Sequence, residues 1–98
     1  MTALSEEQIA VFLGKLNGWK YEDRSLRKGF KCRDFRQATE FAVALAKTGE
    51  KENHYPELVI KENIITVTLF TPSENGVTGK DFLLAEQFEK WIIDFQAG

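Results

Sequence analysis

One cysteine, one histidine, one methionine and two prolines are all that 98 residues contain of these types, and each scarcity excludes something. Cys32 has no second thiol with which to close an intramolecular disulfide, which points to a reducing, intracellular setting. One histidine and one cysteine make no Cys/His set, so no zinc site is expected; separately, no cofactor is expected. The N-terminal residues Met1 to Glu7 lack a basic segment followed by an apolar run. No apolar stretch approaches the roughly 20 residues of a bilayer-spanning helix, so the expected location is the cytoplasm, with no membrane partner. Basic residues are not in excess: 13 Lys and Arg stand against 15 Asp and Glu, a formal charge of -2. That balance removes the overall attraction to nucleic acid or anionic lipid that a basic protein has. No repeat and no low-complexity segment is visible.

What is present suits one small packed domain spanning residues 1–98, with 43% hydrophobic and 12% aromatic residues. Ser5-Glu6-Glu7-Gln8 reads as a capping box, with Leu4 and Ile9 placed to staple the helix entry. Ile9, Phe12, Leu13 and Leu16 share one face of that helix, and Asn17-Gly18 is expected to end it. Trp19 and Tyr21, then Leu26, Phe30 and Cys32, alternate with polar residues around a turn at Asp23-Arg24-Ser25, the pattern of a β-hairpin. Six basic residues between Arg24 and Arg36 could bind an acidic partner, but they read more simply as a solvated strand face, and nucleic acid is not expected as a partner.

Asp34 is placed to cap a long second helix whose buried face is Phe35, Ala38, Phe41, Ala42, Leu45 and Ala46. Gly49 weakens its last turns and Pro56 disfavours helical geometry at Tyr55, so the helix ends between them and His54 lies just past it. Leu58 to Lys61 and Ile64 to Phe70 are apolar strands separated by Glu62-Asn63, the spacing of a tight hairpin. Ile65, Val67 and Leu69 face one side of the second strand. Thr71 to Val77 is a loop, and Thr78-Gly79-Lys80-Asp81 opens a last helix with the stripe Leu84, Ala85, Phe88, Trp91, Ile92 and Phe95. Leu83 and Ile93 widen that stripe beyond what one small domain needs, which points to an oligomer. The expected fold is α+β in the order α-β-β-α-β-β-α: a four-stranded antiparallel sheet with helices packed on one face.

Glu50 to Glu57 is the candidate reactive segment, because it holds His54, the side chain whose ordinary pKa lies nearest neutrality, beside Tyr55 and several carboxylates. His54 also has a plain structural explanation, as a ring placed favourably against a helix C-terminus. Tyr55 could be a packed aromatic, Asp81 a capping residue and Thr71 the end of a strand.

Leu4-Ser5-Glu6-Glu7, Gly18-Trp19, Phe30 with Asp34-Phe35, Glu50 four residues before His54-Tyr55-Pro56-Glu57, and Thr71, Gly76 and Asp81 together resemble the pterin-4a-carbinolamine dehydratase family, also known as dimerization cofactors of a homeodomain transcription factor. The resemblance covers nearly the whole chain. It implies a small homo-oligomer, a dimer or a tetramer, that dehydrates 4a-hydroxytetrahydropterins to quinonoid dihydropterins. The reaction needs an acid for the leaving hydroxyl and a base for the N5 proton, without a metal. His54 and Asp81 take the catalytic positions; Glu50, Tyr55, Pro56 and Thr71 take substrate-binding ones. The family usually has histidine or asparagine at Tyr55, an aromatic at Glu62 and histidine or tryptophan at Pro72. These differences imply a slower dehydratase or an altered pterin, or alternatively a pterin-related binding protein or protein-interaction module.

Overall fold

The computed structural model describes residues 2–97. Its elements are α1 (Glu6–Leu13), β1 (Lys20–Glu22), β2 (Ser25–Lys31), α2 (Phe35–Glu52), β3 (Glu57–Lys61), β4 (Ile64–Leu69), a 3₁₀ turn (Pro72–Glu74) and α3 (Gly79–Ala97). The expected order α-β-β-α-β-β-α is therefore present. The four strands form one sheet in the order β1-β2-β4-β3, with every neighbouring pair antiparallel. No helix among the described residues is long and apolar enough to cross a membrane.

The two-residue period of the strands sends Leu26, Phe30, Ile65, Val67 and Leu69 to one face, where all are buried. Register aligns them: Leu26 lies opposite Leu69 and Phe30 opposite Ile65. Ala38, Phe41 and Leu45 of α2 and Leu84, Ala85, Phe88 and Ile92 of α3 close over this face, and Ile9 of α1 joins the same core. Trp19, Phe30, Phe41 and Phe95 form a chain of ring contacts, the first two edge-to-face and the third tilted, with centroids 5.9, 5.2 and 5.4 Å apart. The opposite sheet face carries Val59 and Ile64, both exposed.

The capping box at Ser5 forms as expected, in both directions. Helix α1 nevertheless stops at Leu13, earlier than the Asn17-Gly18 signal suggests. Gly14 gives up helix propensity of about 1 kcal/mol relative to alanine, just where Lys15 and Asn17 are exposed and Leu16 alone is partly buried. Two tight turns, Lys15 N–H to Phe12 O and Leu16 N–H to Leu13 O, both 3.1 Å, then carry the chain to Gly18 at φ 84°. Phe12 and Phe35, expected inside, are exposed, although the Phe12 ring rests 5.1 Å from that of Phe82.

Asp34 caps α2 by accepting the Gln37 N–H at 2.8 Å. That bond, with Arg33 and Arg36 close by, holds the Asp34 carboxyl below the ordinary carboxylate range. At the other end Asn53 is left-handed at φ 53°. Asn53 N–H reaches Glu50 O at 3.1 Å and His54 N–H reaches Gly49 O at 3.0 Å, the paired bonds of a Schellman stop. The returning chain crosses so close to the helix that a Cβ on Gly49 would lie 2.8 Å from Pro56 Cδ and 2.9 Å from His54 O. Gly49 is therefore what lets the chain turn from α2 into β3 with His54 facing inward.

Candidate active site

His54 is delivered by the Schellman stop of α2, Thr71 by the segment just past β4 where it bridges to Gly76, and Asp81 by the first turn of α3. The Asp81 side chain is fully buried, and His54 is only 8% exposed. An unpaired buried carboxylate costs several kcal/mol, so its partners decide whether the arrangement is tenable. Asp81 has a partner on each oxygen. Oδ1 lies 2.5 Å from His54 Nε2. Oδ2 accepts the Thr71 hydroxyl at 2.8 Å and the Thr78 main-chain N–H at 2.9 Å. The Thr71 and Thr78 hydroxyl oxygens are 2.9 Å apart, and Thr78 Oγ1 accepts the Lys80 N–H at 3.2 Å.

Asp81 thus does two things at once. One oxygen returns to the start of α3 as the reciprocal half of a cap, and the other holds the histidine. An ionised carboxylate only accepts, so Nε2 carries the hydrogen of the His54–Asp81 contact and neutral His54 has its lone pair on Nδ1. Nδ1 has no hydrogen-bond partner among the described residues, and no side-chain nitrogen or oxygen among them is sealed from solvent without one. A base at Nδ1, backed by a buried anion at Nε2, is an arrangement suited to taking and returning a proton.

The remaining candidates lie around this pair. Tyr55 is 67% exposed, and its hydroxyl donates to Asn53 Oδ1 at 3.1 Å. Its ring lines a surface hollow of about 380 Å³ together with Asp23, Ser25, Glu57, Thr68, Phe70 and Pro72. That volume falls at the lower end of small-molecule sites. Tyr55 and Pro72 are the chain neighbours of His54 and Thr71, whereas His54 and Asp81 themselves are not in the hollow's wall. Pro56 is half-buried against Gly49. Glu50 is exposed in the last turn of α2, and its side chain makes no hydrogen bond or ion pair among the described residues. Glu62 sits in the β3–β4 turn at φ 55°, away from the hollow. The described residues hold no group of three or more His, Cys, Asp or Glu side chains that could bind a metal ion.

Thr78 belongs to this network as well as to the start of α3, and only the second role is visible in the sequence. Its position three residues before Asp81 was the available signal, because a capping pair whose acid also faces a distant histidine looks like any other cap. Asp23, Ser25, Thr68 and Phe70 carry no local signature at all; the β1–β2 turn and the end of β4 meet only through the sheet.

A sequence model of the family described as pterin 4 alpha carbinolamine dehydratase matches residues 2–91. A protein of Sulfolobus acidocaldarius provisionally named pterin-4-alpha-carbinolamine dehydratase is 38% identical over 87 residues, spanning 89% of this chain and 96% of that protein. An Opitutus terrae protein with the same provisional name is 39% identical over 94 residues, 93% of this chain and 97% of its own. Among solved structures, a transcriptional coactivator/pterin dehydratase from Brucella melitensis superposes with a TM-score of 0.88 at 35% identity, covering 92% of this chain and 98% of that one.

Proposed function

The chain belongs to the pterin-4a-carbinolamine dehydratase family, and on that premise we propose that it dehydrates a 4a-hydroxytetrahydropterin to the quinonoid dihydropterin, in support of tetrahydropterin recycling. The observation that carries the reading is the Asp81 contact with His54 Nε2, which leaves Nδ1 as the working nitrogen. The net reaction breaks the C4a–O and N5–H bonds, forms the C4a=N5 double bond and releases water. It neither consumes nor produces a proton overall. One imidazole can therefore serve both steps: Nδ1 takes the N5 proton and returns it to the departing hydroxyl. Asp81 stabilises the imidazolium that exists between those two transfers, as a buried carboxylate does for a catalytic histidine.

The hollow beside Tyr55 and Pro72 is our candidate for the pterin ring, with Tyr55 and Phe70 as its apolar walls. Thr71, between Phe70 and Pro72 of the wall, links the hollow to Asp81, and Pro56 and Glu50 complete the proposed substrate-binding set by their family positions. Tyr55 and Pro72 supply no second imidazole, which supports a modest rate. One domain over residues 1–98, acting in the cytoplasm as a homodimer or homotetramer, completes the proposal. Leu83 at 47% and Ile93 at 63% exposure on α3 favour association.

The test compares the loss of a freshly generated 4a-hydroxytetrahydropterin with and without protein. Wild type should exceed the uncatalysed rate, and His54→Ala should lower kcat by about 10²- to 10⁴-fold. No acceleration by wild type would remove the enzymatic reading. The second reading, a pterin-related binding or interaction protein, is favoured by Tyr55 and Pro72 at their positions. Calorimetry with reduced pterins distinguishes it: binding without turnover supports it. Sedimentation showing only monomer at micromolar concentration would contradict the oligomer.

A further inference from the structure

We propose that Thr78 is a positioning residue for His54, acting through Thr71 and Asp81 by way of its hydroxyl as well as its main chain. The inference rests on the acid/base reading of His54 and adds a residue to it. Its basis is the hydrogen count in the buried network. Thr71 has one hydroxyl proton, and Oγ1 donates it to Asp81 Oδ2 at 2.8 Å. The 2.9 Å contact between the Thr71 and Thr78 hydroxyls must then be donated by Thr78. Thr78 Oγ1 in turn accepts the Lys80 N–H. The bonds run in one direction, from the first turn of α3 through Thr78 and Thr71 to the carboxylate.

Thr78 consequently reaches Oδ2 twice, directly through its N–H at 2.9 Å and indirectly through Thr71. Thr78 and Asp81 are fully buried and Thr71 is 4% exposed, so each bond acts in a low-dielectric setting and polarises the next. With two donors on Oδ2, the carboxylate has no freedom to rotate, and Oδ1 is committed to His54 Nε2. Removing the Thr78 hydroxyl takes away one of the two bonds that fix the Thr71 oxygen. The Thr71 side chain can then turn, and the lock on Asp81 and on the His54 ring loosens.

The test uses the full chain with Thr78→Val and Thr78→Ser and two readouts. Ring ¹⁵N shifts report the His54 tautomer without any substrate. Wild type and Thr78→Ser should show the Nε2–H form alone, and Thr78→Val a mixture of tautomers. In the dehydration assay Thr78→Val should lower kcat roughly tenfold with little change in KM, with recovery in Thr78→Ser. A cap and nothing more would lower thermal stability in Thr78→Val while leaving the His54 shifts and kcat as in wild type; that result overturns the proposal. If Thr78→Val does not fold, wild type still decides: a slowly exchanging Thr78 hydroxyl proton with a through-space contact to Thr71 supports the assignment, and one directed elsewhere overturns it. If no variant turns over pterin, only the function of His54 falls, because the tautomer shifts read the positioning separately.

Discussion

His54 Nε2 and Asp81 Oδ1 stand 2.5 Å apart although 27 positions separate them in the chain. The contact makes a sharp prediction for Asp81→Asn. The two donors on the Oδ2 side still require an oxygen there, so the new NH₂ group must face His54. Nε2 then has to accept, the ring hydrogen moves to Nδ1, and the outward lone pair is lost. Expected is a fall in kcat of about 10²- to 10⁴-fold with KM nearly unchanged, accompanied by a tautomer switch visible in ring ¹⁵N shifts. Asp81→Ala differs in kind, because it strands the Thr71 hydroxyl, the Thr78 N–H and His54 together. It should cost about 3 kcal/mol or more in urea unfolding.

Gly49→Ala sets helix propensity against packing. Alanine gains about 1 kcal/mol in a helix interior. Its Cβ would meet Pro56 Cδ at 2.8 Å and the His54 carbonyl at 2.9 Å, a ring atom and a backbone atom that cannot step aside cheaply. Overpacking of this sort costs about 1–3 kcal/mol, so packing wins and the variant is less stable than wild type. Because the displaced segment carries His54, its activity should fall by more than its stability at assay temperature explains. Gly79→Ala is the control: nothing lies within 4 Å of its added Cβ. That change should be neutral or stabilising by up to about 1 kcal/mol in the same denaturation experiment.

The layout of the chain is legible in the sequence because its signals are local: the Ser5 box, the Asp34 cap, the alternation of Ile65, Val67 and Leu69, and the stop between Gly49 and Pro56. The element order follows from them. Exposure of Phe12, Phe35 and Trp91 is less legible, since helical spacing marks a face but not where that face ends at the rim of a small core. The same holds for the site. His54 announces itself as the one imidazole, and Asp81 as an acid in a first turn, but their meeting depends on the close crossing at Gly49 and on α3 entering beside β4. No spacing in the sequence encodes either. The hollow's wall is less visible still, being assembled from Asp23 of the β1–β2 turn, Ser25 at the start of β2, Thr68 of the neighbouring β4 with Phe70 just past its end, and Glu57 of β3, one strand further along the sheet.

Cys32 should be inert in the folded protein. It is 4% exposed at the end of β2, with its N–H bonded to Asn63 O at 2.7 Å and its carbonyl accepting Asn63 Nδ2 at 2.9 Å. Burial pushes its thiol pKa up, and the nearby Asp34 carboxylate adds to the shift. Thiolate is the reactive species, so both effects suppress reaction. Native protein at pH 8 should fail to react with a disulfide reagent over the minutes in which urea-unfolded protein reacts completely, and its slow labelling should track the global opening rate. Fast labelling of native protein would show that the end of β2 opens locally.

Asp34 gives the pH dependence. Its carboxylate accepts the Gln37 N–H at the start of α2, and Arg33 lies 3.5 Å away, so its pKa in the folded protein is lowered. A lowered folded-state value means that the unfolded chain binds the proton more readily. Stability from this cap is therefore complete above the ordinary carboxylate range near pH 4 and is lost as pH falls through the folded-state value below it. Asparagine caps helices about as well but carries no titrating charge. Asp34→Asn should thus narrow the gap to wild type as the pH drops from 6 to 2, and the acid limb of its stability curve should be shallower. The ion pair with Arg33 is exposed, so 1 M salt should shrink the wild-type advantage at pH 6 while leaving the backbone cap in place. Chemical denaturation at a series of pH values, with and without salt, measures both effects; parallel acid limbs for the two proteins would show that Asp34 contributes nothing by its charge.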